Sequence, residues 1–193
     1  MVELGDECIE EIEEKGYVIV PGFQSGETLK ELQTAQRRVL PPWEKIKDDP
    51  PNGRSTLSDF PQPEIELLRG TADHRAWDFG RKWLRTENIH YRAGCMIARS
   101  PGFKSGGIGS DASALHVDNG NNSLLPPSED FRQFGQLIFW QHLEDVREDQ
   151  APLRLLPKAA GQDMAQCEPL VCEAGTLCIF TNYTWHSATD YLR

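Results

Sequence analysis

The sequence predicts an α+β chain, with helices in its first half and a run of short strands after them. Three observations carry this. Apolar residues recur at helical spacing up to about residue 88, then give way to short apolar or alternating runs. Turn signals separate those runs: Ser100-Pro101-Gly102, Asn119-Gly120, Pro126-Pro127, Gly161 and Glu173-Ala174-Gly175. The 193 residues suffice for one domain with a sizeable core and no internal repeat. We therefore expect a single domain over 1–193, helical over about 1–88 and a jelly roll of the cupin kind over about 89–193. The N-terminal helices should pack on one of its sheets.

The elements follow in order. Residues 4–15 place Leu4, Cys8, Ile9 and Ile12 on one helical face, and Gly16 is suited to stop that helix. Tyr17-Val18-Ile19-Val20 reads as a strand closed by Pro21-Gly22. Ser25 is placed to cap a second helix striped by Leu29, Leu32, Ala35, Gln36 and Val39, which Pro41-Pro42 ends. Six prolines over 41–63 predict an ordered surface loop within the domain, without helix interior or central strand. Residues 73–86 form a further helix, with Trp77 and Trp83 expected in the core. Six strands follow: Ile89 to Arg99, Leu115 to Asn119, Phe134 to Leu143, Leu153 to Leu156, Pro169 to Val171 and Thr176 to Thr181.

Composition excludes several classes. A net charge of −10 argues against a general nucleic-acid binder. No apolar stretch is long enough for a bilayer, and the acidic N-terminus lacks signal-peptide character, so a cytoplasmic location and no membrane partner are expected. Five cysteines without a Cys-x-x-Cys suggest free thiols. Charge is uneven: residues 69–104 carry 8 basic and 3 acidic side chains. That surplus suits an anionic substrate, while the slightly favoured reading puts Arg75, Arg81, Lys82 and Arg85 on the solvated face of a helix.

The chemistry centres on Ala114-Leu115-His116-Val117-Asp118. In a strand, His116 and Asp118 point the same way and offer an imidazole nitrogen and a carboxylate oxygen to one point. Such triplets are common by chance, so their context decides. His186 lies 68 positions beyond Asp118, at or just past the end of the strand Thr176-Leu177-Cys178-Ile179-Phe180. Another strand's histidine completes a two-histidine, one-carboxylate facial triad, which leaves the opposite face of an octahedral metal open. The Gly/Ser-rich segment 100–114 matches no phosphate-binding motif and is placed to act as a mobile lid. His74, His90 and His142 are assigned structural or surface roles, with His142 and Glu144 facing outward.

With these residues in order, the chain resembles the phytanoyl-CoA dioxygenase family of iron(II)/2-oxoglutarate oxygenases. Gly16-Tyr17-Val18-Ile19-Val20-Pro21-Gly22-Phe23 resembles its N-terminal signature, and Leu115-His116-Val117-Asp118 its His-x-Asp strand. Leu153-Arg154-Leu155-Leu156-Pro157 resembles its hydrophobic strand, with Lys158-Ala159-Ala160 where the family has Gly-Ser-His. Glu173 to Phe180, followed by Trp185-His186, resembles the strand leading to the distal histidine.

The resemblance implies that His116, Asp118 and His186 hold iron(II), with 2-oxoglutarate and O₂ as cosubstrates. A small organic substrate is hydroxylated while succinate and CO₂ are released. Asp118 favours hydroxylation, because related halogenases lack that carboxylate. Met96 and Trp140 match the family's cosubstrate pocket, and ordinary core roles account for them nearly as well. The family also anchors the distal carboxylate with an arginine about ten residues after the distal histidine, as a bidentate pair. Here Arg193 follows His186 by 7 positions. Either Arg193 serves in an unusual register, or the chain is truncated before the anchor and a last strand; the second expectation is favoured. Two other readings stay open: a zinc hydrolase on the same triad, and a non-catalytic or truncated jelly-roll binding protein.

Overall fold

The computed structural model describes residues 2–48, 54–57, 61–92, 94–105, 116–118, 135–161 and 163–192. The first helix, α1 (Asp6–Lys15), buries Cys8 and Ile12, and its first turn holds Asp6 and Glu7 against the positive end of the helix dipole. Gly16 ends it at φ 90°, a left-handed conformation suited to glycine, and its N–H donates to the Ile12 carbonyl at 2.8 Å. The chain turns directly into β1 (Tyr17–Val20).

Helix α2 (Gly26–Val39) forms as expected, but Ser25 makes no side-chain capping bond. Gly26 sits at φ 57°, outside the right-handed geometry in which a cap hydroxyl reaches the next amides. The proline-rich segment holds regular structure where an ordered loop was expected. It holds a helical turn, α3 (Trp43–Ile46), and a strand, β2 (Arg54–Leu57). The prolines flank these pieces: Pro42 precedes α3, and 52–60 contains none. Helix α4 (Ile65–Thr71) was not foreseen; α5 (His74–Leu84) is the expected helix, shortened at its C-terminal end.

Arg75 is not on a solvated face. It is 6% exposed, and its guanidinium donates to Asp73 Oδ1 and Oδ2 at 3.0 and 2.7 Å. It also donates to the carbonyls of Val2 and Phe23 at 2.9 and 3.0 Å and lies 3.8 Å over the Phe23 ring. The charge is buried because four guanidinium hydrogen bonds satisfy it together. Trp83 is buried as expected, and Trp77 is half-buried.

The remaining strands are β3 (Met96–Arg99), β4 (Leu137–Gln141), β5 (Leu153–Leu155), β6 (Glu168–Pro169), β7 (Leu177–Thr181) and β8 (His186–Ala188). They form three antiparallel sheets, ordered β1-β7-β4, β2-β3 and β6-β5-β8. β3 is shorter than the apolar run from Ile89; among the described residues it pairs with β2 over four residues. Between 115 and 119, the described residues show no strand but a single bridge at His116. His186 does not trail the preceding strand; it opens β8 in a different sheet.

Register explains why all of β7 is buried. Tyr17, Phe180 and Ile138 stand side by side, as do Ile19, Cys178 and Trp140. This face packs on Leu153 and Leu155 of the second sheet. The opposite face, with Val18, Val20, Leu177 and Ile179, packs on α1 through Cys8 and Ile12 and on α5 through Phe79 and Trp83. Each fully buried aliphatic side chain contributes about 1.5–3 kcal/mol. The helices thus cover one side of the large sheet, and the small sheet carrying His186 covers the other. Among the described residues, no helix is long and apolar enough to cross a membrane. The five cysteines are free.

Candidate metal centre

His116 and His186 exchange two backbone hydrogen bonds, N–H to carbonyl, at 3.1 and 3.0 Å. Directly paired antiparallel residues project side chains to the same face. Their imidazole rings lie 4.5 Å apart. Asp118, two residues on, brings Oδ1 to 3.7 Å from His186 Nε2. One ligand atom from each of the three residues lies within 4.8 Å of the others, with His186 buried and the other two exposed. Two donors about 2.1 Å from a metal and at right angles lie about 3 Å apart, so a small inward movement closes the set.

The local fold orients His186. Its Nδ1 lies 2.9 Å from the Thr184 carbonyl, which can only accept, so Nδ1 carries the proton. The Nε2 lone pair is then free and faces Asp118. Thr184 is itself held. Its hydroxyl donates to the Gly16 carbonyl at 2.6 Å and accepts from the Thr181 N–H at 3.1 Å. The Phe180 ring stands 4.8 Å from the His186 ring. Burial lowers the His186 pKa below its usual value, against the opposing pull of the Thr184 bond and Asp118. The neutral imidazole a metal needs is therefore favoured at neutral pH.

The other expected site residues are spread more widely. Trp140 is on the face of β4 that looks toward the small sheet, in the same apolar cluster as Phe180. Met96 packs elsewhere, against the cluster of Leu32, Ala35 and Leu67 between α2 and α4. Arg193 lies outside the described residues, as does most of the lid segment. The described start of that segment is fastened to Asp190, which accepts from the Ser105 N–H and hydroxyl at 2.8 and 3.1 Å and pairs with Lys104 at 3.2 Å.

His142 does not face outward. It is 8% exposed, its ring 6.5 Å from Trp140, and burial together with Arg99 pushes its pKa down to about 4. Backbone bonds between His142 and the Gly175–Thr176 turn draw it in beyond the end of β4. No periodicity in the sequence announces that tie, nor the role of Thr184.

The model of the phytanoyl-CoA dioxygenase family matches residues 12–191. The chain belongs to the phytanoyl-CoA dioxygenase family. Members of this family use iron(II) and 2-oxoglutarate. No curated protein matches the chain.

Solved structures share the fold at low identity. HygX from Streptomyces hygroscopicus, with nickel and 2-oxoglutarate bound, is 13% identical with a TM-score of 0.68, over 100% of this chain and 83% of its own. EvdO2 from Micromonospora carbonacea var. aurantiaca, complexed with 2-oxoglutarate, is 15% identical with a TM-score of 0.72, over 99% and 86%. The non-heme alpha ketoglutarate dependent carbocyclase SnoK, from nogalamycin biosynthesis, is 15% identical with a TM-score of 0.68, over 98% and 79%. The chain is thus a phytanoyl-CoA dioxygenase family member with an oxygenase-like fold of helices and strands.

Proposed function

We propose that this family member is an iron(II)/2-oxoglutarate-dependent dioxygenase that hydroxylates a small organic substrate and releases succinate and CO₂. The observation that carries the reading is the convergence of His116, Asp118 and His186, with the His186 lone pair directed inward by Thr184. Two imidazoles and one carboxylate on one side fit a hard-to-intermediate divalent metal with open positions opposite.

When bound, iron(II) would supply O₂ activation coupled to the oxidation of 2-oxoglutarate. This chain's own residues hold, orient and shield. His116 and Asp118, both solvent-accessible, would close the metal site on its open side, and His186 would anchor it to the core. Phe180, packed on the His186 ring, keeps water from the buried side. Trp140 is assigned to the wall of the cosubstrate pocket, and the distal carboxylate of 2-oxoglutarate calls for an arginine, for which Arg193 is the candidate within this sequence. Met96, packed with Leu32 and Leu67, is assigned the backing of that pocket through β3. The two small-to-large sheets facing each other are read as a double-stranded β-helix, and the protein as cytoplasmic. Relatives in fold support an organic substrate: HygX has been solved with hygromycin B bound, and the epimerase SnoN with nogalamycin RO.

The test is conversion of 2-oxoglutarate to succinate by anaerobically purified, iron-loaded protein. We expect turnover in the intact protein and none in His116→Ala or His186→Ala. A protein that takes up zinc in preference to iron and never yields succinate sinks the reading.

A further inference from the structure

Arg99 ends β3 and reaches across to β4. Its guanidinium lies over the Trp140 ring, 5.7 Å from the ring centre, and 5.4 Å from the centre of the Phe103 ring. Its Nη1 donates to the Ala151 carbonyl at 2.8 Å. A guanidinium within about 6 Å of a ring centre is attracted by the ring's quadrupole, and more strongly where water is scarce. His142, whose ring is 6.5 Å from Trp140, feels the same cation, which adds to burial in lowering its pKa.

The carbonyl that holds Arg99 is aimed by an unusual backbone. Ala151 is 1% exposed and has φ 56°, in the left-handed region that favours glycine. Pro152 follows it, and a residue before proline is driven toward extended conformations, which adds to the strain. Such a residue persists only where its surroundings over-determine it. Here they do. The Leu192 N–H donates to the Asp149 carbonyl at 2.9 Å, and Gln150 pairs with Tyr191. The Pro152 carbonyl accepts from the Thr189 N–H and hydroxyl, both at 3.1 Å. The strained turn is therefore strapped to the segment that follows His186.

Arg99 thus joins β3, the Trp140 ring of β4 and the turn that leads into β5. Trp140 is the ring assigned to the wall of the cosubstrate pocket. Apolar contacts alone are non-directional and leave the tilt of a ring loosely set. A cation over its face, itself fixed by a carbonyl, sets that tilt before any ligand arrives, and a ligand then binds without ordering the wall.

We infer that Arg99 is a positioning residue for the cosubstrate: it fixes the plane of the Trp140 ring against which 2-oxoglutarate binds, and the strained Ala151 carbonyl aims it. This deepens the dioxygenase reading and rests on it for the cosubstrate.

The experiment is isothermal titration of the nickel-loaded full chain with 2-oxoglutarate. Arg99→Met, which keeps an apolar stem and removes the cation, should bind 2-oxoglutarate about tenfold more weakly, and Arg99→Lys should recover part of that loss. Nickel affinity and melting temperature should stay near those of the parent. The double variant Arg99→Met/Trp140→Leu should bind no more weakly than Trp140→Leu alone, because Arg99 acts through the ring. In turnover the loss should appear in KM for 2-oxoglutarate, with kcat little changed. Should Arg99→Met fail to fold, Arg99→Lys with Trp140→Leu completes the same cycle. Additive losses in the cycle, unchanged 2-oxoglutarate binding in the folded Arg99 variants, or an equal loss of nickel affinity overturns the inference while the dioxygenase reading stands. A parent that takes up nickel and binds no 2-oxoglutarate overturns both.

Discussion

Thr184 links Gly16 to His186: its hydroxyl donates to the Gly16 carbonyl at 2.6 Å, and its own carbonyl accepts from His186 Nδ1 at 2.9 Å. The end of the first helix thereby sets the ring angle of a candidate ligand 170 positions away. Thr184→Val keeps the shape and removes the hydroxyl, leaving the Gly16 carbonyl and the Thr181 N–H without this partner. The variant should lose about 1–3 kcal/mol in urea denaturation. Its metal affinity should fall about tenfold, as when outer partners of ligating histidines are removed. Isothermal titration with iron(II) under anaerobic conditions measures the second effect; equal affinity would show that the turn does not orient His186.

His142 gives a pH signature. Its pKa is about 4 in the folded protein and the ordinary 6.5 when unfolded, so above 6.5 neither state holds the proton. As pH falls from 6.5 toward about 4, the unfolded chain gains a proton that the folded one refuses, and stability declines. The decline attributable to this group approaches about 1 kcal/mol per pH unit. The difference between parent and His142→Phe, followed by denaturation across that window, should show the parent losing more. Parallel curves contradict it.

Arg75 and Asp73 form a buried pair that joins the N-terminal segment to α5. Burial pushes the Asp73 carboxyl up, and the hydrogen bonds from Arg75 and Gln24 outweigh it, holding the carboxyl below its ordinary range. Arg75→Met leaves that carboxylate buried without its cation and should cost about 3–5 kcal/mol. The double variant Arg75→Met/Asp73→Asn should recover part of the loss, read as a midpoint shift in urea. No recovery would mean that the bonds to the Val2 and Phe23 carbonyls carry the whole effect.

Asn182 is fully buried at the end of β7, and among the described residues neither its amide oxygen nor its amide nitrogen has a partner. Asn182→Leu preserves the volume and removes both unpaired groups. It should raise stability by about 1 kcal/mol, seen as a higher melting temperature. A lower one would show that the amide makes bonds in solution that compensate its burial.

Much of the fold was legible because local rules govern it. The α1 face of Cys8 and Ile12, its stop at Gly16 and the strand from Tyr17 all follow from period, cap and β-branching. The β7 run Leu177–Thr181 was readable as a strand, since five consecutive apolar or β-branched residues suit a strand buried on both faces. Arg75 and His142 were misread because burial of a polar group depends on whether distant carbonyls or packed faces reach it. Helix α4 and strand β2 went unseen because short elements owe their form to neighbours, here α2 and β3.

For the site, the sequence alone determined the donor types and their spacing: His116, Asp118 two residues on, and His186 in a later strand. Those are covalent facts about which atoms can bind a metal. Only the tertiary structure decided that His186 opens a separate strand beside His116, that its Nδ1 is the protonated nitrogen, and that Trp140 packs with Phe180 while Met96 packs with Leu32 and Leu67. These follow from hydrogen-bond register between segments far apart in the chain, which no local pattern encodes.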